Sequence, residues 1–163
     1  MVTTPIQVDL DPWEYEWASH VGARRYIENW GKGNAAHYDA SRMEDDRTAQ
    51  VAACVCELAV AKHTNRYWSG SVWKVEHHDR YKHLADVGRN IEVRRLRSRD
   101  TVAIRKHQVG LGLVLFVAKP VMPELRQVNI YGWLPYDDAW EMGEQSDYAP
   151  TTTRVLHYDN FRL

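Results

Sequence analysis

Between Ala49 and Ala61 the chain reads AQVAACVCELAVA, and only Gln50 and Glu57 are polar. A helix that is apolar on every side is buried over most of its surface. This segment is therefore expected to be the central helix of the fold. Its small residues, Ala52, Ala53, Ala59 and Ala61, let neighbours approach closely. Asp45 or Asp46 is placed to cap it, and Lys62 and His63 suit the negative end of its dipole. An earlier helix is signalled by Asp11 as N-cap, Pro12 at the first helical position and Glu14 completing a capping box. Trp13, Trp17 and Val21 recur at four-residue spacing, and Ile27 extends the stripe. Trp30-Gly31-Lys32-Gly33 carries the stop signal, and residues 31–45 read as a polar loop.

Beyond residue 70 the pattern changes to that of strands. Ser71–Val75, Ile91–Leu96, Val102–Arg105, Leu113–Val117 and Val128–Leu134 are the expected strands. Ser98-Arg99-Asp100 makes a tight connection between the second and third of these, and Pro120 and Pro123 interrupt the chain before the last. Residues 135–163 are acidic and aromatic, and are expected to wrap the sheet with a short helix near Asp137–Met142. Two helices followed by mostly hairpin-linked strands predict a mixed α+β (α/β) fold around a central sheet. No repeat or linker divides the 163 residues, so one domain is expected. It comprises an N-terminal helix and loop (1–48), a core (49–134) and a C-terminal extension (135–163).

Composition narrows the function. With 44% hydrophobic residues, disorder of the whole chain is excluded. The longest apolar run, near Leu111–Ala118, falls short of the roughly 18 residues that span a bilayer. The N-terminus has no basic region followed by an apolar core, so no signal peptide is expected. Cys54 and Cys56 stand two apart on a helix and point to different sides, so a disulfide between them is not expected. A reduced, cytoplasmic setting follows. The net charge of -1 excludes a bulk polycation that binds nucleic acid by charge alone. Yet Arg89, Arg94, Arg95, Arg97, Arg99, Arg105 and Lys106 crowd into one stretch, and a neutral total can hide a basic face.

Candidate chemistry begins at Glu57. A carboxylate in an apolar helix is costly to bury unless it is paired, metal-bound or hydrogen-bonded. Gln50 lies two turns earlier on the same face. One outcome is that Glu57 pairs with an arginine of the 89–99 stretch and only holds the fold together. The second feature is Asp86-Val87-Gly88-Arg89-Asn90-Ile91-Glu92-Val93-Arg94. Asp86 precedes a turn built on Gly88 and Asn90. Glu92 and Arg94 then take one face of a strand, and Ile91 and Val93 the other. Asp86, Glu92 and the carbonyl of Val93 make a hard oxygen site suited to Mg²⁺ or Mn²⁺, with Glu57 as a third acid, direct or through water. Arg94 is placed to steady an anionic phosphate.

An acid on a helix, then an Asp, then Glu-x-basic on a strand resembles the PD-(D/E)xK nuclease superfamily. The resemblance runs from about Ala49 to Val117. CELAVAK at 56–62 and ADVGRNIEVRR at 85–95 are similar to segments of small phage-encoded proteins of that type. It implies a restriction-endonuclease-like three-layer sandwich, a central mixed sheet flanked by helices. It also implies a phage-encoded, Mg²⁺- or Mn²⁺-dependent nuclease hydrolysing DNA phosphodiester bonds. Glu57 matches the helix acid, Asp86 the metal-binding Asp, Glu92 the second metal acid and Arg94 the basic position, which is usually Lys. Arg89, Arg95, Arg97, Lys106 and Lys82 are expected to track the DNA backbone. The Arg at the basic position leaves open a non-catalytic nucleic-acid- or protein-binding module that keeps the fold. A homodimer, or a host-protein partner held by an exposed patch including Trp133, Tyr136 and Trp140, is also open.

Other groupings point to bland roles. His77-His78-Asp79 with His83 reads as a solvated loop rather than a zinc site. Cys56 with His63 makes a poor nucleophile pair, because a thiol inside an apolar helix stays protonated. Gly110-Leu111-Gly112 is too short for a phosphate loop. Trp68 and Trp73 around Gly70 are expected in the core rather than as a base-stacking platform.

Overall fold

A short strand, β1 (Ile6–Asp9), leads into helix α1 (Pro12–Asn29) in the computed structural model, which describes residues 4–29, 46–81, 84–96 and 100–163. The expected helix stop at Trp30–Gly33, the loop 31–45 with Asp45, and Lys82, His83, Arg97 and Ser98-Arg99 lie outside the described residues. The apolar segment becomes α2 (Asp46–Thr64). A single helical turn, α3 (His78–Tyr81), precedes β2 (Ile91–Arg95), β3 (Thr101–Arg105), β4 (Val114–Pro120) and β5 (Gln127–Pro135). Then come α4 (Tyr136–Met142), β6 (Glu144–Gln145) and β7 (Thr153–His157).

The capping box at the head of α1 forms: the Asp11 N–H donates to Glu14 Oε1 at 2.7 Å. Lys62 of α2 reaches the same carboxylate oxygen at 2.8 Å, which ties the start of α1 to the end of α2. The buried face of α1 is Glu14, Ala18, Val21 and Gly22, so of the stripe Trp13, Trp17 and Val21 only Val21 lies on it. Trp13 is 62% exposed, and Ile27 is exposed too. The reason is steric. A Cβ on Gly22 would lie 2.7 Å from Val51 Cα, so the two helices cross where only a small face fits. Trp13 and Trp17 are displaced to the outer side, where they stack on each other and Trp17 meets the edge of Trp68.

Two sheets form, in the orders β1-β5-β4-β2 and β3-β7-β6. In the first, β2 runs parallel to β4 and the remaining pairs are antiparallel. Helix α2 lies on one face of this sheet, with α1 packed against α2. Its core there joins Cys54, Val55, Leu58 and Ala59 to Ile91, Val93, Phe116, Val128 and Ile130. On the opposite face Leu115, Val117 and Leu134 pack with Val102, Ile104 and Leu156 of the second sheet and with Tyr136 and Ala139 of α4. The mixed α+β class is thus observed. The expectation of helices flanking the sheet is met on one face only, because a second sheet and a short helix cover the other.

Three further expectations are corrected. Ser71–Val75 is not a strand: its first residues are irregular, and a 3-10 turn spans Val75–His77. The Ser71 carbonyl is taken by Arg25 of α1 at 2.9 Å, so the segment follows a helix instead of pairing with a strand. The chains of β2 and β3 form no hairpin, because they belong to different sheets. The partner of β3 is β7, from the tail expected to carry only a short helix. Among the described residues no helix is long and apolar enough to cross a membrane.

Gly22→Val is expected to cost about 1–3 kcal/mol of unfolding free energy, since its methyl groups must displace backbone in α2. The shift of the urea midpoint measures it; an unchanged midpoint would show that the crossing relaxes freely.

Candidate functional site

Glu57 sits in the middle of α2 and is buried. Arg25 of α1 holds it with a fork: Nη1 donates to Oε1 at 3.0 Å and to Oε2 at 2.8 Å. Trp68 Nε1 donates to Oε2 at 3.1 Å. An arginine does pair with Glu57, but it comes from α1 and not from the 89–99 stretch. A signal for it exists in the sequence. Arg25 follows Ala18 by seven residues and Gly22 by three, on the small face that must meet α2.

Asp86 reaches this group from the edge of the first sheet. Val87 bridges to Ile91 through both of its backbone groups, at 3.0 and 3.1 Å. Gly88 turns the chain with a φ of +56°, a conformation costly to any residue with a Cβ. The turn lays Asp86 alongside β2, where Oδ2 accepts the Val93 N–H at 2.8 Å. The N–H and C=O of one strand residue project to the same edge. Ile91 uses both on Val87, so Val93, two residues on, presents its carbonyl to the edge occupied by Asp86.

The Asp86 carboxyl lies within hydrogen-bonding reach of both Glu57 and Glu92. Three acids named from the sequence therefore meet at one place. Glu57 comes from the helix side, Glu92 from the opposite face of β2, and Asp86 joins them at the edge. Glu57 and Glu92 are buried, while Asp86 is half-buried and is the side open to solvent. Burial, and then the charge of Asp86, hold Glu57 well above the usual carboxylate range. The same two causes push Glu92 up to about 7, against the pull of Arg94.

Arg94 Nη2 lies 3.6 Å from Glu92 Oε1 and donates to Gln108 Oε1. Gln108 is buried, also accepts the Tyr136 hydroxyl at 2.8 Å, and bonds Glu92 through its side chain. The Tyr136 oxygen in turn accepts the Arg105 N–H at 2.8 Å. Among the described residues Arg94 Nε is buried with no partner, an uncommon state for a charged donor. The sequence reading missed Gln108 and Tyr136. No local pattern marks them, because they arrive from the second sheet and α4.

The remaining candidates lie on several elements. Arg89 is exposed on the turn before β2, and Lys106 is exposed just after β3. Arg95 shares the α2 side of β2 with Ile91 and Val93, near Cys56. Arg97 and Lys82 lie outside the described residues. Cys54 and Cys56 are free and buried, and burial pushes both thiols up. Trp68 is core, and Trp73 packs against Tyr81. The expected aromatic patch is not there: Tyr136 is fully buried, and the guanidiniums of Arg162 and Arg154 cover Trp133 and Trp140.

Among the described residues no three His, Cys, Asp or Glu side chains form a ready-made metal cage. Glu57 is already held by Arg25 and Trp68. The carboxyls of Asp86 and Glu92 and the Val93 carbonyl are the remaining oxygens of this group, hard donors of the kind Mg²⁺ or Mn²⁺ takes. In comparisons with known proteins, the chain matches no family model, no curated protein and no solved structure.

Two outcomes follow. Arg25→Met leaves Glu57 buried without its cation and is expected to cost about 3–5 kcal/mol at pH 7.5. The cost shrinks as pH falls, because burial favours the neutral, protonated form of Glu57; chemical denaturation at pH 7.5 and pH 5 checks this. Raised folded-state pKa values also mean that stability is fully present below the unfolded value of 4.5 and is lost as pH rises through about 7. In chelator-containing buffer the Tm should fall over that range, and Glu92→Gln should flatten the fall. A wild-type Tm that rises from pH 5 to 7.5 would contradict the acid cluster.

Proposed function

We propose that the chain is a divalent-metal-dependent nuclease of the PD-(D/E)xK type, phage-encoded and acting on DNA. The observation that carries the reading is the half-buried Asp86 carboxyl shared by two buried glutamates at the border strand of the sheet. Such a cluster is unfavourable when ionised and becomes favourable around a cation. Asp86, Glu92 and the Val93 carbonyl would hold Mg²⁺ or Mn²⁺, which would supply Lewis acidity and an activated water. Glu57, gripped by Arg25 and Trp68, stands behind Asp86 and positions it. Arg94 stays charged at any working pH, so it serves as a donor and not as a base. Its partly exposed side chain carries a guanidinium suited to a phosphate oxygen. Arg89 and Lys106 are exposed cations available to the flanking backbone.

The finer fold assignment belongs to the same proposal. Support comes from α2 with its acid lying on a mixed sheet whose β2 and β4 run parallel. A second reading, a non-catalytic binding module, is favoured by one observation: Arg94 and Glu57 are both engaged by neighbouring side chains.

Calorimetry with MnCl₂ at pH 7.5 separates the two. The nuclease reading expects binding in wild type, loss of binding in Asp86→Asn, and a Tm raised by Mn²⁺ in wild type alone. It further expects Asp86→Asn and Glu92→Gln each to reduce Mn²⁺-dependent DNA cleavage by at least about 100-fold. Cleavage equal to wild type in both variants would sink it. DNA binding indifferent to chelator, with no cleavage, would establish the module.

A further inference from the structure

Tyr67 is joined to the acid cluster by backbone links. Its carbonyl accepts the Gly88 N–H at 2.7 Å, and Trp68 bridges to Val87. Consecutive residues of an extended segment face opposite sides. Trp68 is turned inward onto Glu57, whereas Tyr67 is turned outward and is 74% exposed. Arg66 lies across the same turn. Its Cβ, Cγ and Cδ sit 3.5, 3.7 and 3.8 Å from where a Gly88 side chain would begin. Arg66 and Arg89 are exposed, and among the described residues their side chains make no ion pair or hydrogen bond.

A single exposed tyrosine is ordinary. Its setting is not: a bare ring and two unengaged guanidiniums flank the turn that carries Asp86, the open side of the cluster. A ring face takes an unstacked nucleobase, and guanidiniums take the phosphates beside it. Bases inside a duplex are stacked on one another and unavailable to such a ring. We infer that Arg66 and Tyr67 form a nucleotide clamp beside Asp86, and that its occupant is single-stranded DNA. The clamp deepens the nuclease reading and rests on it for the identity of the neighbouring chemistry.

The test is fluorescence anisotropy with a labelled 20-nucleotide oligo-dT and a blunt duplex of the same length, in Ca²⁺ buffer. Wild type should bind the single strand more tightly than the duplex. Tyr67→Ala should weaken single-strand binding by at least about fivefold and leave duplex binding unchanged, while Tyr67→Phe, which keeps the ring, binds as wild type. Arg66→Ala should weaken binding and reduce its salt dependence. Equal affinity of wild type and Tyr67→Ala for oligo-dT overturns the clamp, and so does a wild-type preference for the duplex. Mn²⁺ calorimetry on Tyr67→Ala keeps the two readings apart. Metal binding that survives alongside lost selectivity supports both. Lost selectivity without any metal response in wild type leaves the clamp standing and removes the nuclease.

Discussion

One buried carboxylate organises much of this protein. Glu57 cannot be charged inside α2 without a cation, and its cation comes from α1. The Arg25 fork fixes how α1 is rotated against α2. The same guanidinium takes the Ser71 carbonyl, so the segment after α2 is drawn along α1. Trp68, on that segment, returns to Glu57 through its indole N–H. Trp68 then bridges to Val87, next to Asp86. A chain of polar contacts therefore leads from one helix to the strand edge where the acids gather.

The edge itself is the second constraint. A strand with neighbours on both sides hides its backbone groups in the ladder, and residues on its two faces cannot meet. Strand β2 is at the border of its sheet. Its outer backbone groups are taken by Val87 and Asp86 instead of by another strand. Covering an edge in this way also blocks pairing with other chains. Only at such a border can Glu57, from the helix layer, and Glu92, from the face toward the second sheet, touch one carboxyl. The second sheet then supplies what lies behind Glu92. Gln108 follows β3, Tyr136 opens α4, and together they hold Arg94 in place.

Local chemistry made part of this legible in the sequence. The capping box, the apolar run of α2 and the alternation around β2, β4 and β5 each report a property of neighbouring residues. Glu57 stood out because it was polar where its surroundings were not, and Asp86 and Glu92 because a turn and a strand placed them at adjacent ends of one short segment. Those features are decided by contacts a few residues long. The partners were a different matter. Arg25 and Glu57 are 32 residues apart, and Tyr136 and Gln108 are 28 apart. Periodicity shows that a face is buried without showing against what. The four-residue recurrence of Trp13, Trp17 and Val21 marked a helix, but the crossing at Gly22 decided which face it buries. The segment Ser71–Val75 had a strand's composition, yet Arg25 claimed its carbonyl. Pairing of β3 with β7, across half a hundred residues of chain, has no local signature. What the sequence alone determined was α1, α2, the strands β2 to β5 and which acids are out of place. What only the tertiary structure decided was which of them meet, because that depends on distant surfaces competing for the same hydrogen bonds and the same space.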